Sequence, residues 1–338
     1  MKYKFVFIFI CNVQALFAQD LHWSQGLRQP MWLNPAQIGT MPEDGRFSAA
    51  YRQQWQSVPV PFLSVMAAYD SRAPKLLPTR LGALGLGALV GYDRAGDAGL
   101  QWSVIGLGAS FSRVFGQTNQ LSLGLMWSGM QRAVRPNKLS FGSQYNGAQF
   151  DPNATNNEVF EALSATASSF SVGFEYQGAA ATQRVGWQLG TAMYHLNVPT
   201  YHFTSLLQQA EPEVLPRVSA HGLLWFKPSE RLTYFGWMIG QNQGKYNEII
   251  GGIAAKYNLV NTLQRRIYLQ TSLATRYSDA LISGIEIGIN DWSIGISYDI
   301  NTSLLRAATQ RRGGPEVTLL YTITKPKPPK VFKACPIF

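Results

Sequence analysis

Apolar and polar residues alternate along much of this chain, most plainly near its end. In Ile285-Glu286-Ile287-Gly288-Ile289 the apolar side chains hold the odd positions. After Asn290-Asp291 they shift to the even ones, as Trp292, Ile294, Ile296, Tyr298 and Ile300, with Ser293, Gly295, Ser297 and Asp299 between. A two-residue period belongs to a strand with two unlike faces, and a two-residue polar break between such runs predicts a hairpin. The signature continues back to Gly45. It predicts strands over 46–55, 62–71, 82–92, 100–114, 119–132, 167–177, 184–195, 216–227, 231–241, 246–257, 265–277, 280–290, 291–301 and 315–323.

About fourteen strands is an even number, as bacterial single-chain barrels require, and lengths of ~9–13 residues suit a tilted crossing of the hydrocarbon layer. The expected fold is all-β: a transmembrane β-barrel of antiparallel strands over residues 45–324. Its lipid face is predicted to hold Val185, Trp187, Leu189, Thr191 and Met193, or Phe170, Val172, Phe174 and Tyr176. Its lumen face then holds the residues between them. The strands over 82–92 and 100–114 are glycine-rich, and their register stays open. With the N-terminus periplasmic, the long connections 133–166 and 196–215 fall outside the cell. Most links at the other end are short, which is the asymmetry of outer-membrane barrels. The 72–81 link is long for a turn, and the one over 277–280 is short for an outer loop.

Composition narrows the choice. Only 14% of residues are charged, against roughly a quarter in a soluble domain. A soluble multi-sheet protein would need a second, polar face and more charge. No run after the first residues approaches the ~20 apolar residues of a spanning helix. Residues 1–18 read as a signal peptide: Lys2 and Lys4, an apolar core, then Ala15-Leu16-Phe17-Ala18 before Gln19. Its removal would lower the formal net charge from +10 to +8 and leave Cys335 alone, without an internal disulfide. The basic balance is spread over loops rather than gathered with stacking aromatics, so no nucleic-acid partner is expected.

Catalytic chemistry finds no frame here. His22, His195, His202 and His221 lack metal-pair spacing, and no Gly-x-Ser-x-Gly elbow surrounds a serine. No enzymatic activity, metal or cofactor is expected. Arg52, Glu175, Arg184, Arg276, Glu286, Asp299 and Glu316 fall on predicted lumen positions. Either they line a polar channel or they pair with one another or with a plug, since charges in a confined lumen need partners. Residues 19–44 have no strand period. Met31, Trp32 and Leu33, left in water, would each cost ~2 kcal/mol. The segment is therefore expected to fold into or under the barrel as a plug in contact with Arg52, or to lie as a strap on its periplasmic rim. Residues 325–338 hold Pro326, Pro328, Pro329 and Pro336 and are expected to form an extended periplasmic tail.

Several short motifs, in order and spacing, resemble one family. Gln19-Asp20-Leu21-His22-Trp23-Ser24-Gln25 precedes Trp32-Leu33-Asn34-Pro35-Ala36, then Tyr51-Arg52-Gln53-Gln54-Trp55. Arg312-Gly313-Gly314-Pro315-Glu316-Val317 leads the last strand, and Cys335-Pro336-Ile337-Phe338 follows. Together they resemble the PorP/SprF proteins of type IX secretion in Bacteroidetes-type bacteria, departing at Leu21 and Ile337, where the family usually or often has Pro and Arg. The resemblance implies an outer-membrane barrel without enzymatic activity, set in outer-membrane lipid. Its partners would be other type IX components and a secreted cargo protein, recognised through a type IX C-terminal domain. Either it is part of the secretion machinery, or it anchors cargo such as an adhesin, including those of gliding motility. Asn34-Pro35-Ala36 is also similar to a segment in the hatch of FadL-type transporters, which implies uptake of a hydrophobic small molecule as the alternative. For cargo contact the candidates are Phe141, Tyr145, Phe150 and Phe160 in one outer loop and Tyr201 and Phe203 in the next. The same aromatics would serve equally as a lid over the barrel mouth.

Overall fold

In the computed structural model, the described residues are 20–54, 62–73, 81–96, 99–133, 142–147, 149–151, 153–154, 164–201, 213–262, 264–303 and 309–324. Fourteen strands follow one another: β1 (Gly45–Gln54), β2 (Phe62–Arg72), β3 (Ala83–Ala95), β4 (Leu100–Phe115), β5 (Asn119–Ala133), β6 (Ser164–Ala179) and β7 (Val185–Tyr194). Then come β8 (Arg217–Phe226), β9 (Leu232–Gln243), β10 (Tyr246–Asn261), β11 (Arg266–Arg276), β12 (Ala280–Ile289), β13 (Trp292–Asn301) and β14 (Arg312–Ile323). Each pairs antiparallel with its sequence neighbours, and β1 pairs with β14 from Gly45↔Ile323 to Arg52↔Glu316, closing the barrel. Closure leaves no open edge, the condition for spanning lipid with strands.

The two faces are inverted relative to a soluble protein. Ile253 is 66% exposed and Leu125 is 65% exposed, and Ile285, Ile287, Ile294 and Ile296 also point outward. Ser48, Ser110, Ser122, Ser128, Ser171, Ser219 and Ser297 are buried instead. A soluble sandwich would reverse these assignments, so the outer surface is the one that meets hydrocarbon. The Asn290-Asp291 break is a tight turn. Asn290 sits at φ 55°, a left-handed conformation that asparagine tolerates better than most residues.

Observed strands extend the predicted ones where polar residues continue the ladder. β3 reaches Ala95, β10 reaches Asn261 and β14 begins at Arg312, because backbone pairing does not stop where apolar alternation does. One lumen assignment is corrected: Arg184 is exposed in the turn before β7, outside the ladder. At what we call the near mouth, β1 begins and β14 ends. The far mouth carries the connection from β5 to β6 and that from β7 to β8.

Candidate functional site: the filled lumen

The N-terminal segment enters at the far mouth and leaves at the near one. Asp20 N–H donates to Gln243 Oε1 (3.0 Å), at the far end of β9. Gly39 N–H donates to Asp70 Oδ2 (2.7 Å), close to where Asp44 delivers the chain into β1. Between these points the segment makes a short helix α1 (Pro30–Leu33) and two single 3-10 turns, Gly26–Arg28 and Pro35–Gln37. Proline opens both α1 and the second turn, where its fixed φ suits a helical start and its missing N–H costs nothing.

Every strand of the closed ring touches this segment, so it lies inside. From β1, Arg52 donates to His22 O; from β4, Ser110 Oγ donates to Ile38 O. From β7, Tyr194 Oη donates to Trp32 O (2.7 Å). His221 of β8 meets Gln37 (2.9 Å), and Glu248 of β10 faces His22 (3.5 Å). Arg276 of β11 donates to Ser24 Oγ (2.7 Å), and Glu286 of β12 pairs with Arg28 (2.7 Å). Ser24 Oγ donates to Asp299 of β13 (2.8 Å), and its N–H donates to Glu316 of β14 (2.7 Å). Asp70 and Gln243 supply β2 and β9.

Strands β3, β5 and β6 contribute by lacking side chains. A Cβ added at Gly85 would fall on Ile38 O, at Gly124 on the Pro35 carbonyl, and at Gly173 on Asn34 Oδ1. These lumen glycines let the segment's backbone lie against the wall. Asn34 then works in two directions. Its Oδ1 accepts from Ala36 N–H (2.9 Å), capping the Pro35–Gln37 turn, and its Nδ2 donates to Phe174 O of β6 (2.9 Å). Gly124→Val is expected to destabilise the barrel by ~3 kcal/mol or more, because the Pro35–Ala36 backbone rather than a flexible tip must move. Gly236→Val, at a position with open space around its Cβ, is the control and should be near neutral. Denaturant unfolding in detergent compares them.

At the far mouth, Arg217 lies over the rings of Trp32 (4.5 Å) and Tyr194 (4.0 Å) and reaches Asp20 Oδ2 (3.3 Å). Trp32 also packs edge-on against Trp102, centroids 5.9 Å apart. Burial alone would raise the Asp20 carboxyl, but His195 and Arg217 beside it reverse this and hold it well below the usual carboxylate range. His195 bridges Asp20 Oδ2 and Ser169 Oγ, both at 2.8 Å. This is the residue set of a Ser–His–Asp relay, with Ser169 0% exposed. As placed, the relay orients Asp20.

The predicted lumen charges Arg52, Glu175, Arg276, Glu286, Asp299 and Glu316 are paired rather than facing a channel. Arg52 Nη2 and Arg276 Nη2 both meet Asp299 Oδ2, at 2.8 and 3.1 Å, and Glu175 meets His221 at 3.2 Å. Of the residues proposed from sequence, Trp32, Leu33, Asn34, Pro35, Ala36 and Arg52 come together in the lumen, all buried. Gln54 ends β1 opposite Phe62. Tyr201 is 1% exposed and accepts from Trp102 Nε1 (3.1 Å) under the far mouth, where Arg132 covers its ring at 4.8 Å. Tyr145 and Phe150 are 55% and 47% exposed. Trp55, Phe141, Phe160, Phe203 and His202 lie outside the described residues, as do residues 1–19 and 325–338. Sequence reading missed the glycine seat and the Asp20–His195–Arg217 cluster. For the glycines a signal existed, since they fall on the lumen positions of their strands.

Comparison with known proteins gives one decisive match. Residues 15–321 match the family described as type IX secretion system membrane protein PorP/SprF. No curated protein matches. Among solved structures, the chain is similar in outline to the CymD monoaromatic hydrocarbon channel, with TM-score 0.47, 10% identity, 88% of this chain and 93% of that one. A deletion mutant of the TodX monoaromatic hydrocarbon channel gives 0.46 at 10% identity, covering 88% and 94%. A Pseudomonas aeruginosa FadL homologue gives 0.46 at 10% identity, covering 87% and 94%. No function is carried across from these three. A closed fourteen-stranded barrel with a lipid-facing exterior, matched over nearly its whole length, belongs to the PorP/SprF family of type IX secretion system outer-membrane proteins.

Proposed function

We propose that this barrel is the surface-facing partner that holds an exported type IX cargo protein, such as an adhesin, and is not the conduit the cargo crosses. The observation that carries this reading is the occupied lumen: a crossing polypeptide would have to displace a segment bonded to strands all around the ring. The proposal leaves the far-mouth surface for cargo and the near mouth, with residues 325–338, for periplasmic secretion components. Cleavage before Gln19 belongs to the same proposal. Asp20 lies at the far mouth, so a retained leader would project beyond the barrel at that end.

Within the outer loops, exposure separates two roles. Tyr145 and Phe150 are the aromatic anchors offered to cargo, while Tyr201 serves as part of the lid. Pull-down with an isolated C-terminal domain of a type IX substrate tests this. Tyr145→Ala with Phe150→Ala is expected to weaken capture about tenfold or more, the scale of an interfacial aromatic anchor, while Tyr201→Phe leaves it intact. Undiminished capture after deletion of both 134–163 and 196–215 removes the loops from the mechanism. Uptake of a hydrophobic compound, the alternative, requires a continuous path through the barrel. Labelled fatty-acid uptake by cells carrying the intact barrel would replace the cargo reading with that one.

A further inference from the structure

The N-terminal segment does not fill the lumen evenly. Asn34-Pro35-Ala36 presses against β5, β6 and β7, and on the side of β8 to β13 a cavity of about 180 Å3 remains. Its larger apolar walls are Leu27, Leu223, Phe235, Trp237 and Ile282, and polar side chains, among them Gln25, Gln270 and Ser272, line the rest. Trp237 lies flat against the barrel because residue 252 is glycine; a Cβ there would strike the indole. Toward the far mouth this sector is sealed by Ile239, Ile250, Ala274 and Ile282, all buried. Toward the near mouth Trp225, Lys256 and Tyr268 are only half-buried.

We infer that this cavity is a blind binding pocket, entered from the near mouth, for a small neutral aromatic or branched aliphatic molecule. Size permits it: a cavity of ~150 Å3 lined by apolar side chains takes benzene. The polar groups at its border fix the charge of the ligand. Arg28 is already committed to Glu286 (2.7 Å), Thr318 (2.6 Å) and the Ser293 carbonyl (3.1 Å). Glu286 also accepts from Tyr268 (2.6 Å) and Gln270 (3.4 Å). An ionic ligand would surrender its hydration and find no uncommitted charge, whereas a neutral apolar one leaves these ion pairs in place. The site goes beyond the cargo reading and does not depend on it.

The test uses the mature full-length chain in lipid nanodiscs with 5-fluorotryptophan incorporated. The Trp237 fluorine resonance is assigned by its loss in Trp237→Phe, and benzene and benzoate are the titrants. A saturable Trp237 shift with benzene and none with benzoate is expected. Ala254→Leu and, separately, Ser272→Leu project new bulk into the cavity and should each weaken binding about tenfold, the effect of modest overpacking. Either variant that keeps the other tryptophan resonances serves. Absence of a shift up to benzene's aqueous limit overturns the pocket. So does a shift that both fillers leave unchanged, which reports partition into lipid. A shift seen only after removal of residues 325–338 would assign the cavity to the chain's own tail and equally overturn the proposal.

Discussion

Removal of residues 20–44 is expected to convert a closed barrel into an open one. In planar bilayers the intact protein should hold a flat baseline, and the deletion variant should give stable conductance steps. The strands themselves need not fail, because the ladder from β1 to β14 closes without the segment. What is lost is burial, roughly 2 kcal/mol for each of Met31, Trp32, Leu33 and Ile38, so the variant should also melt lower. Arg52, Arg276, Asp299 and Glu316 would become hydrated, which suits a water-filled channel better than a dry one. Supplying residues 20–44 as a separate peptide should suppress the steps. Were the deleted form as silent as the parent, the far-mouth loops would be the seal, and the occupied lumen could no longer carry the functional argument.

The two-residue period made the barrel legible because each strand has one face in lipid and one in a serine-rich interior. β12 and β13 are the clearest case, with isoleucine on one face and Ser, Gly, Asp or Glu on much of the other. The register of β3 and β4 stayed open for a physical reason. Gly85, Gly87 and Gly108 carry no side chain to declare a face, and they are also where Ile38 and Met31 approach the wall. The residues that hid the register are part of the site. Long-range partners left no local trace: Asp20 and His195 are brought together only by closure of the ring. Nor does sequence spacing separate Tyr201, buried beneath the far mouth, from the exposed Tyr145. Both lie in long loops, and only the packing of Trp102 and Arg132 distinguishes the buried ring from the exposed one.

The charged core of the lumen yields the second large effect. Arg52 is buried, with Nη2 on Asp299 (2.8 Å), Nη1 on the His22 carbonyl and Nε 3.9 Å from Glu316. Arg52→Met keeps most of the side-chain length but removes the charge and leaves two buried carboxylates with one fewer cation. Breaking one partner of such a cluster costs ~3–5 kcal/mol. Arg276 still faces Asp299 at 3.1 Å and Glu248 at 3.1 Å, which places the loss toward the lower end. Arg52→Lys should fall between Met and the parent, because a single ammonium cannot span both the carboxylate and the carbonyl. If the deficit arises from an uncompensated charge, Asp299→Asn in the Arg52→Met background should recover part of it. The two changes should then couple by ~1–3 kcal/mol in a double-mutant cycle. Denaturant unfolding in detergent gives the four stabilities, and protease cutting near Ser24 reports whether the segment has left its seat. Additive losses with residues 22–25 still protected would mean that Arg52 only fills space, and that the ion pairs do not tether the segment to the wall.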